Sequence, residues 1–364
     1  MKRNGPEPET KFARLLLKWN KEKNDRSMPW KGEKDPYRIW LSEIILQQTR
    51  VEQGLNYYNN FIKTFPAVQK LAAAPDEKVF KLWEGLGYYT RCRNLIVTAR
   101  YIAKDLGGKF PDTYEDIKAL KGIGPYTAAA ISSFAFNLPH AVVDGNVFRV
   151  LARIFGIATP VDSTTGKNFF TDLANRLLDK KQPGLYNQAI MDFGAVICKP
   201  VSPLCSACVF KKDCFAFQHG KINELPVKEK KISIRKRWFY YLVLEYKDKP
   251  GSYGVAIRQR NEKGIWQGLY EFPLVEMDKN SVVKKILQQA EKNKWVTKDK
   301  YELVAVSELF RQQLSHQLIS GQFVRIRVKQ KPRQETDWLW IPGSKIRKYA
   351  FPRFIHQFLS GHSF

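Results

Sequence analysis

Four cysteines within seventeen residues, Cys198-x6-Cys205-x2-Cys208-x5-Cys214, constrain this chain more than any other feature. Thiols that close in sequence wrap one compact centre, an ion or a cluster, because four soft ligands saturate a single site. Zinc sites usually arrive as two Cys-x2-Cys pairs, and the 6-2-5 spacing departs from that pattern. Disulfides are not expected. The segment Met1–Pro6 is charged with no apolar run behind it, and no apolar stretch reaches membrane-spanning length. The chain therefore reads as intracellular, in cytoplasm or nucleoid, with no membrane partner and with reduced thiols. Cys92 fits no ligand pattern and reads as a packed free thiol.

A second stretch, Leu120–Val147, holds two features that belong together. Gly122-Ile123-Gly124 precedes a small, apolar run from Tyr126 to Phe136 that reads as a buried helix. Glycines there let the backbone turn sharply, so that N–H groups and the helix dipole converge on an anion. Some twenty residues on, Asp144-Gly145-Asn146 forms a turn ahead of an amphipathic helix from Val147 to Phe155. Earlier, Glu43 is a lone carboxylate among Trp40, Ile44 and Leu46. Burial there raises a carboxyl pKa toward the state that a general acid needs near neutral pH.

The 364 residues carry 61 Lys+Arg against 35 Asp+Glu, a net charge of +26. Residues 226–364 hold 28 basic and 13 acidic side chains, so +15, and the preceding residues the other +11. An excess shared by both parts favours a polyanion, and the 13 % aromatic content suits base stacking as well as core building. Helical periodicity dominates as far as about Ile197, with helices near 9–24, 36–48, 51–64, 76–84, 89–106, 113–119, 125–136, 146–156, 165–180 and 185–197. The basic run 226–236 reads as a linker. Beyond it, 238–244, 254–257, 302–306 and 323–328 read as strands, with helices at 281–292 and 350–359.

These motifs together resemble the helix-hairpin-helix DNA glycosylases that carry an iron–sulfur cluster, and more closely the adenine DNA glycosylases of the A/G-mismatch repair type. The residues carrying the likeness are LKGIGPYTAAAI, VVDGNVFRVLAR, LSEIILQQT, GLGYYTRCR, the cysteine spacing and GIWQGLYEFP. The resemblance implies a multi-domain chain: an all-α helix-hairpin-helix core with a [4Fe–4S] loop, plus a C-terminal α+β Nudix-like domain. Its expected bounds are 1–225 for the helical region (about 30–136 the six-helix module, 1–29 with 137–225 the iron–sulfur module) and 237–364 for the Nudix-like domain. A Nudix hydrolase needs a glutamate-dense helix for magnesium, and residues 274–295 offer Glu276, Asp278 and Glu291 in no such spacing, so this domain reads as a binding domain.

The same resemblance assigns residues. Glu43 protonates adenine N7, Asp144 stabilises the sugar cation, and Tyr126 lines the pocket with Trp30, Lys31 and Gln188. Gln47, Gln48 and Thr49 wedge into the duplex near the flipped base, Leu86 and Tyr88 lie against the base opposite it, and Gly122 and Gly124 meet phosphate. Ser315 and His316 sense 8-oxoguanine. Cys198, Cys205, Cys208 and Cys214 hold the cluster, and a monovalent cation at the hairpin is a further expectation. The implied partner is duplex DNA with A:8-oxoguanine or A:G mispairs, bound by a monomer. Three positions depart from the family: Lys31 for Arg, Lys121 for Pro and Leu314 for Phe. An endonuclease-III-type glycosylase/lyase is the first alternative, but such enzymes have lysine where this chain has Tyr126. A catalytically silent DNA-binding protein is the second, against which Glu43 and Asp144 speak.

Overall fold

A computed structural model describes residues 8–28, 30–229, 233–249, 252–331 and 337–362. The opening Met1–Pro6, Pro29 and residues 230–232 of the expected linker lie outside the described residues. Among the described residues twelve α-helices come first: α1 (Pro8–Lys23), α2 (Pro36–Leu46), α3 (Val51–Thr64), α4 (Val68–Ala72), α5 (Asp76–Trp83), α6 (Thr90–Asp105), α7 (Tyr114–Ala119), α8 (Pro125–Phe136), α9 (Gly145–Phe155), α10 (Thr164–Leu177), α11 (Pro183–Val196) and α12 (Phe215–Gln218). Then follow β1 (Arg235–Lys249), β2 (Ser252–Gln259), β3 (Tyr270–Glu271), β4 (Leu274–Met277), α13 (Val283–Lys292), β5 (Tyr301–Val306), β6 (Phe310–Gln313), β7 (Gln317–Val328), β8 (Leu339–Pro342) and α14 (Arg353–Ser360). Contacts sort the chain into two units, residues 1–73 with 97–231, and residues 74–96 with 232–364. The stretch 74–96, placed in the helical region by sequence reading, thus groups with the C-terminal residues.

In the first unit α8 has the composition of a central helix. Its residues from Thr127 to Ser133 are all buried, and α2, α7 and α11 pack around it. Pro36 and Pro125 open α2 and α8 at positions where no helical N–H is lost. A second core joins α1 to α9, α10 and α11 through aromatic rings. Phe12 stacks on Phe210 at 4.7 Å, and Trp19 meets Phe193 edge-on at 4.9 Å. Helices α9 and α11 approach so closely that a Cβ on Gly194 would lie 2.6 Å from the Asn146 Cβ.

In the second unit the mixed eight-stranded sheet runs β3-β2-β1-β7-β5, with β4 on β1, β6 on β7 and β8 on β2. Only β1 and β7 pair in parallel among the described strands. The unbroken apolar run Phe239–Leu244 is explained by burial on both faces. Tyr240, Leu242 and Leu244 meet α13, while Tyr241 and its neighbour Phe323 meet α14, where Phe323 stacks on Phe358 at 4.0 Å. Residues 74–96 dock by specific bonds. Lys81 donates to the Tyr349 carbonyl (3.0 Å), Glu84 accepts from the Phe351 amide (2.9 Å), and Arg93 donates to the Gln267 carbonyl (2.6 Å). Helix α4 and strands β3, β4, β6 and β8 escape a sequence reading because runs of two to five residues show no period.

Gly194→Ala should lower stability by about 1–3 kcal/mol, because neither helix can give way without opening a core. Gly124→Ala, where a Cβ meets nothing within 4 Å, is the control. Thermal unfolding of both variants tests this; equal shifts would refute the close-packing account.

Candidate active site

Glu43 lies on the third turn of α2, a helix started by Asp35, whose carboxylate accepts from the Tyr37 amide at 2.9 Å. Leu41, Ile44 and Ile45 fix that helix in the core, leaving Glu43 9 % exposed at the wall of a cavity of about 560 Å³. Burial first, and then the negative charge of Asp144, push its pKa up to about 7, while a hydrogen bond with the Tyr126 side chain pulls the other way. Tyr126 stands on the first turn of α8, and its hydroxyl also reaches Met191 Sδ at 3.6 Å. Burial, Glu43 and Asp144 together hold that phenol neutral, with its pKa well above the usual value.

Asp144 is the N-cap of α9. Its Oδ1 accepts from the Asn146 and Val147 amides (2.9 and 2.8 Å), and Oδ2 accepts from Asn146 Nδ2 at 2.8 Å. Burial raises its pKa against the lowering effect of those three bonds. Two carboxyls from distant segments thus face one cavity in different settings: Glu43 in an apolar wall, Asp144 at a positive helix end. The cavity also collects Trp30, Lys31, Gln48, Thr49 and Gln188. Gln48 takes a left-handed backbone (φ 55°), which turns the chain just past α2 and lays 47–49 along the cavity.

Gly122 (φ 83°) and Gly124 form the exposed turn from α7 into α8, with the Ile123 amide bonded to the Leu120 carbonyl at 3.1 Å. The remaining residues expected to meet DNA lie in the second unit. Leu86 is buried, whereas Tyr88 is 47 % exposed and its hydroxyl hydrogen-bonds the Ser315 hydroxyl. Ser315 and His316 form the exposed tip of the β6–β7 hairpin, closed by the Leu314 amide on the Gln317 carbonyl at 2.7 Å. Glu276 and Glu291 are engaged elsewhere, with Arg237 at 2.6 Å and the Tyr301 hydroxyl at 3.0 Å.

The cysteine loop follows α11. Arg149 and Arg153 of α9, both buried, hold its start: they donate to the carbonyls of Cys198 (2.7 Å) and Lys199 (2.7 Å), and Arg153 Nη1 lies 3.6 Å from Cys198 Sγ. Burial pushes the Cys208 thiol up to about 12, assisted by the charges of Cys198, Cys214 and Cys205. Among the described residues no three His, Cys, Asp or Glu side chains converge on a single ion. The four thiols stand on one loop, a donor set whose chemistry suits an iron–sulfur centre.

Sequence reasoning missed Arg26, Asn146, Arg149, Arg153 and Asp192. A signal existed for Asp192, a lone carboxylate in the apolar run Ala189–Val196, the same signal that singled out Glu43. Arg149 and Arg153 were hidden because arginine on an amphipathic helix ordinarily faces water.

Residues 41–169 match the HhH-GPD superfamily of base excision DNA repair proteins, and residues 240–361 match the NUDIX domain. The adenine DNA glycosylase of Buchnera aphidicola subsp. Baizongia pistaciae (strain Bp) is 34 % identical over 312 residues, 84 % of this chain and 83 % of that protein. The Schizosaccharomyces pombe adenine DNA glycosylase is 30 % identical over 351 residues, 81 % of this chain and 76 % of its own. Among solved structures, a thermostable thymine-DNA glycosylase gives a TM-score of 0.53 at 30 % identity, over 58 % of this chain and 96 % of that one. An endonuclease III trapped as a covalent intermediate with DNA gives 0.50 at 19 % identity, over 58 % and 97 %, a likeness of fold alone.

The raised pKa has a stability consequence. Between 4.5, the ordinary value, and about 7, the folded chain keeps a Glu43 proton that the unfolded chain has lost. The stabilisation is full below pH 4.5 and is lost as pH rises through about 7, a swing of roughly 3 kcal/mol. The melting point of Glu43→Gln should therefore gain on the wild type as pH goes from 5 to 8.5. A gap independent of pH would mean that Glu43 is not held protonated.

Proposed function

The chain belongs to the adenine DNA glycosylase family, and from that premise we propose that it excises adenine paired with 8-oxoguanine or guanine, using Glu43 as general acid and Asp144 as charge partner of the sugar. It is a DNA N-glycosylase of base excision repair. The observation that carries the residue roles is the pair of unlike carboxyls on one cavity. A base stacked in a duplex is out of reach of any side chain, so the adenine is flipped into the cavity between Glu43, Tyr126 and Gln188. Adenine leaves as a neutral base only after protonation at N7, which Glu43 supplies from its near-neutral pKa. As the C1′–N9 bond lengthens, the sugar becomes an oxocarbenium ion. Asp144, fixed by three hydrogen bonds, meets that positive charge without reorganising. Water then completes hydrolysis.

Tyr126 offers no amine for a Schiff base, which supports a monofunctional enzyme over a lyase. Cys198, Cys205, Cys208 and Cys214 would hold one [4Fe–4S] cluster, which supplies structural order to their loop when bound. The Gly122–Gly124 turn, with the N-terminus of α8, suits a phosphate, and carbonyls of the same hairpin a monovalent cation. No described helix is long and apolar enough to cross a membrane. An intracellular monomer working on duplex DNA agrees with the net charge of +26. Within the second unit, the bonded hydroxyls of Tyr88 and Ser315 support reading of the opposite base there.

Glu43→Gln and Asp144→Asn should each slow single-turnover adenine release by roughly 10²–10⁴-fold while duplex binding persists. Product strands should break only after alkali, and about four irons per chain should accompany anaerobically purified protein. Near-native excision by either variant would defeat the assignment. Ser315→Ala should narrow the preference for 8-oxoguanine over guanine by roughly two- to tenfold, the value of one hydrogen bond. An unchanged ratio would move the reading elsewhere.

A further inference from the structure

Behind the cavity wall stands a carboxylate that the reaction above does not use. Asp192, on α11 one turn after Gln188, has a side chain that is 0 % exposed. Its Oδ1 accepts from Arg26 Nη1 at 2.8 Å and Gln188 Nε2 at 3.0 Å, and its Oδ2 from Asn24 Nδ2 at 2.9 Å and Lys31 Nζ at 3.3 Å. Three of those donors, Arg26, Lys31 and Gln188, line the cavity, whereas Asp192 does not. One buried group therefore ties the segment 24–31 and α11 into a single wall.

We propose that Asp192 is a positioning residue that locks the Gln188 amide with its oxygen available to the base, so that the cavity selects a purine with an amine at C6 over one with a carbonyl there. This role rests on the adenine reading of the cavity and follows from hydrogen-bond valence. A carboxylate only accepts, so the amide edge turned to Asp192 is the N–H edge, and turning the amide over would set two acceptors against each other. Once Nε2 is committed, Oε1 is the acceptor that Gln188 has left to offer. An exocyclic amine donates to it. A 6-oxo group, as in hypoxanthine, would meet it lone pair to lone pair and leave two polar atoms unpaired, the type of mismatch that discriminates most strongly. Asparagine at 192 would remove the lock, because its amide can offer either edge.

The test compares single-turnover release of adenine and of hypoxanthine, each opposite 8-oxoguanine in otherwise identical duplexes, by wild type, Asp192→Asn, Gln188→Met and the double variant. The wild type should favour adenine by roughly tenfold or more. Each single variant should narrow that ratio, and the double variant should narrow it no further than Gln188→Met alone. A ratio kept by either single variant overturns the proposal, even where both rates fall together. So does a full second narrowing in the double variant. A second readout needs neither activity nor a folded Asp192→Asn. In the DNA-free wild type, the Gln188 side-chain amide resonance, assigned by its loss in Gln188→Met, should show exchange with solvent slowed at least about tenfold relative to exposed glutamines. If the wild type releases neither base, the glycosylase reading fails by itself. The amide exchange then still decides the Asp192 tie, and unprotected protons would sink it.

Discussion

The arrangement depends on the N-terminus of α9. A helix start leaves amides without partners, and here Asp144 takes two of them while Asn146 binds its other oxygen. The same Asn146 accepts from Arg149 Nη2 at 2.8 Å, and Arg149 holds the Cys198 carbonyl. A continuous set of bonds thus runs from the Asp144 carboxylate to the cysteine loop along one helix. Two turns carry Asp144, Asn146 and Arg149, and a third carries Arg153, so the loop and the carboxylate cannot shift independently. The bare Gly194 makes this possible by letting α11 press against Asn146.

Against that fixed carboxylate, Glu43 gains its property from lacking such bonds. Desolvation is the largest influence on both groups, yet Asp144 has three donors opposing it and Glu43 has the Tyr126 hydroxyl. The charge kept at Asp144 then adds to the cost of a second negative charge nearby and keeps the proton on Glu43. Tyr126 serves both: too reluctant to ionise to compete for the role of acid, it bonds Glu43 without supplying a charge. Exchanging it for a lysine would bring a cation beside both carboxyls and lower the Glu43 pKa.

Much of this was legible in the sequence where local pattern and position coincide. Asp35-Pro36 and Gly124-Pro125 announce helix starts by their own stereochemistry, and the 3.6-residue period places most helices within a few residues. Glu43 was visible as a charge out of place. What sequence could not give was proximity. Nothing local says that Glu43 and Asp144 share a cavity, that Tyr88 reaches Ser315, or that residues 74–96 bond to residues 267, 349 and 351. The paired arginines on α9 look solvent-facing until the carbonyls of the cysteine loop are seen around them.

Asp192 shows why a lone charge in an apolar helix can be read two ways. Glu43 and Asp192 carry the same sequence signal, but their neighbours give them opposite tasks. Glu43 faces open volume, where a proton can be handed to a ligand, and it has few donors to stabilise its charge. Asp192 faces four donors, two of them cationic, and has no access to the cavity, so it has nothing to exchange with a base. A buried carboxylate surrounded by four donors dictates which edge each of them must show it. The proposed division of chemistry from recognition between two buried carboxylates follows from how many hydrogen bonds each one receives.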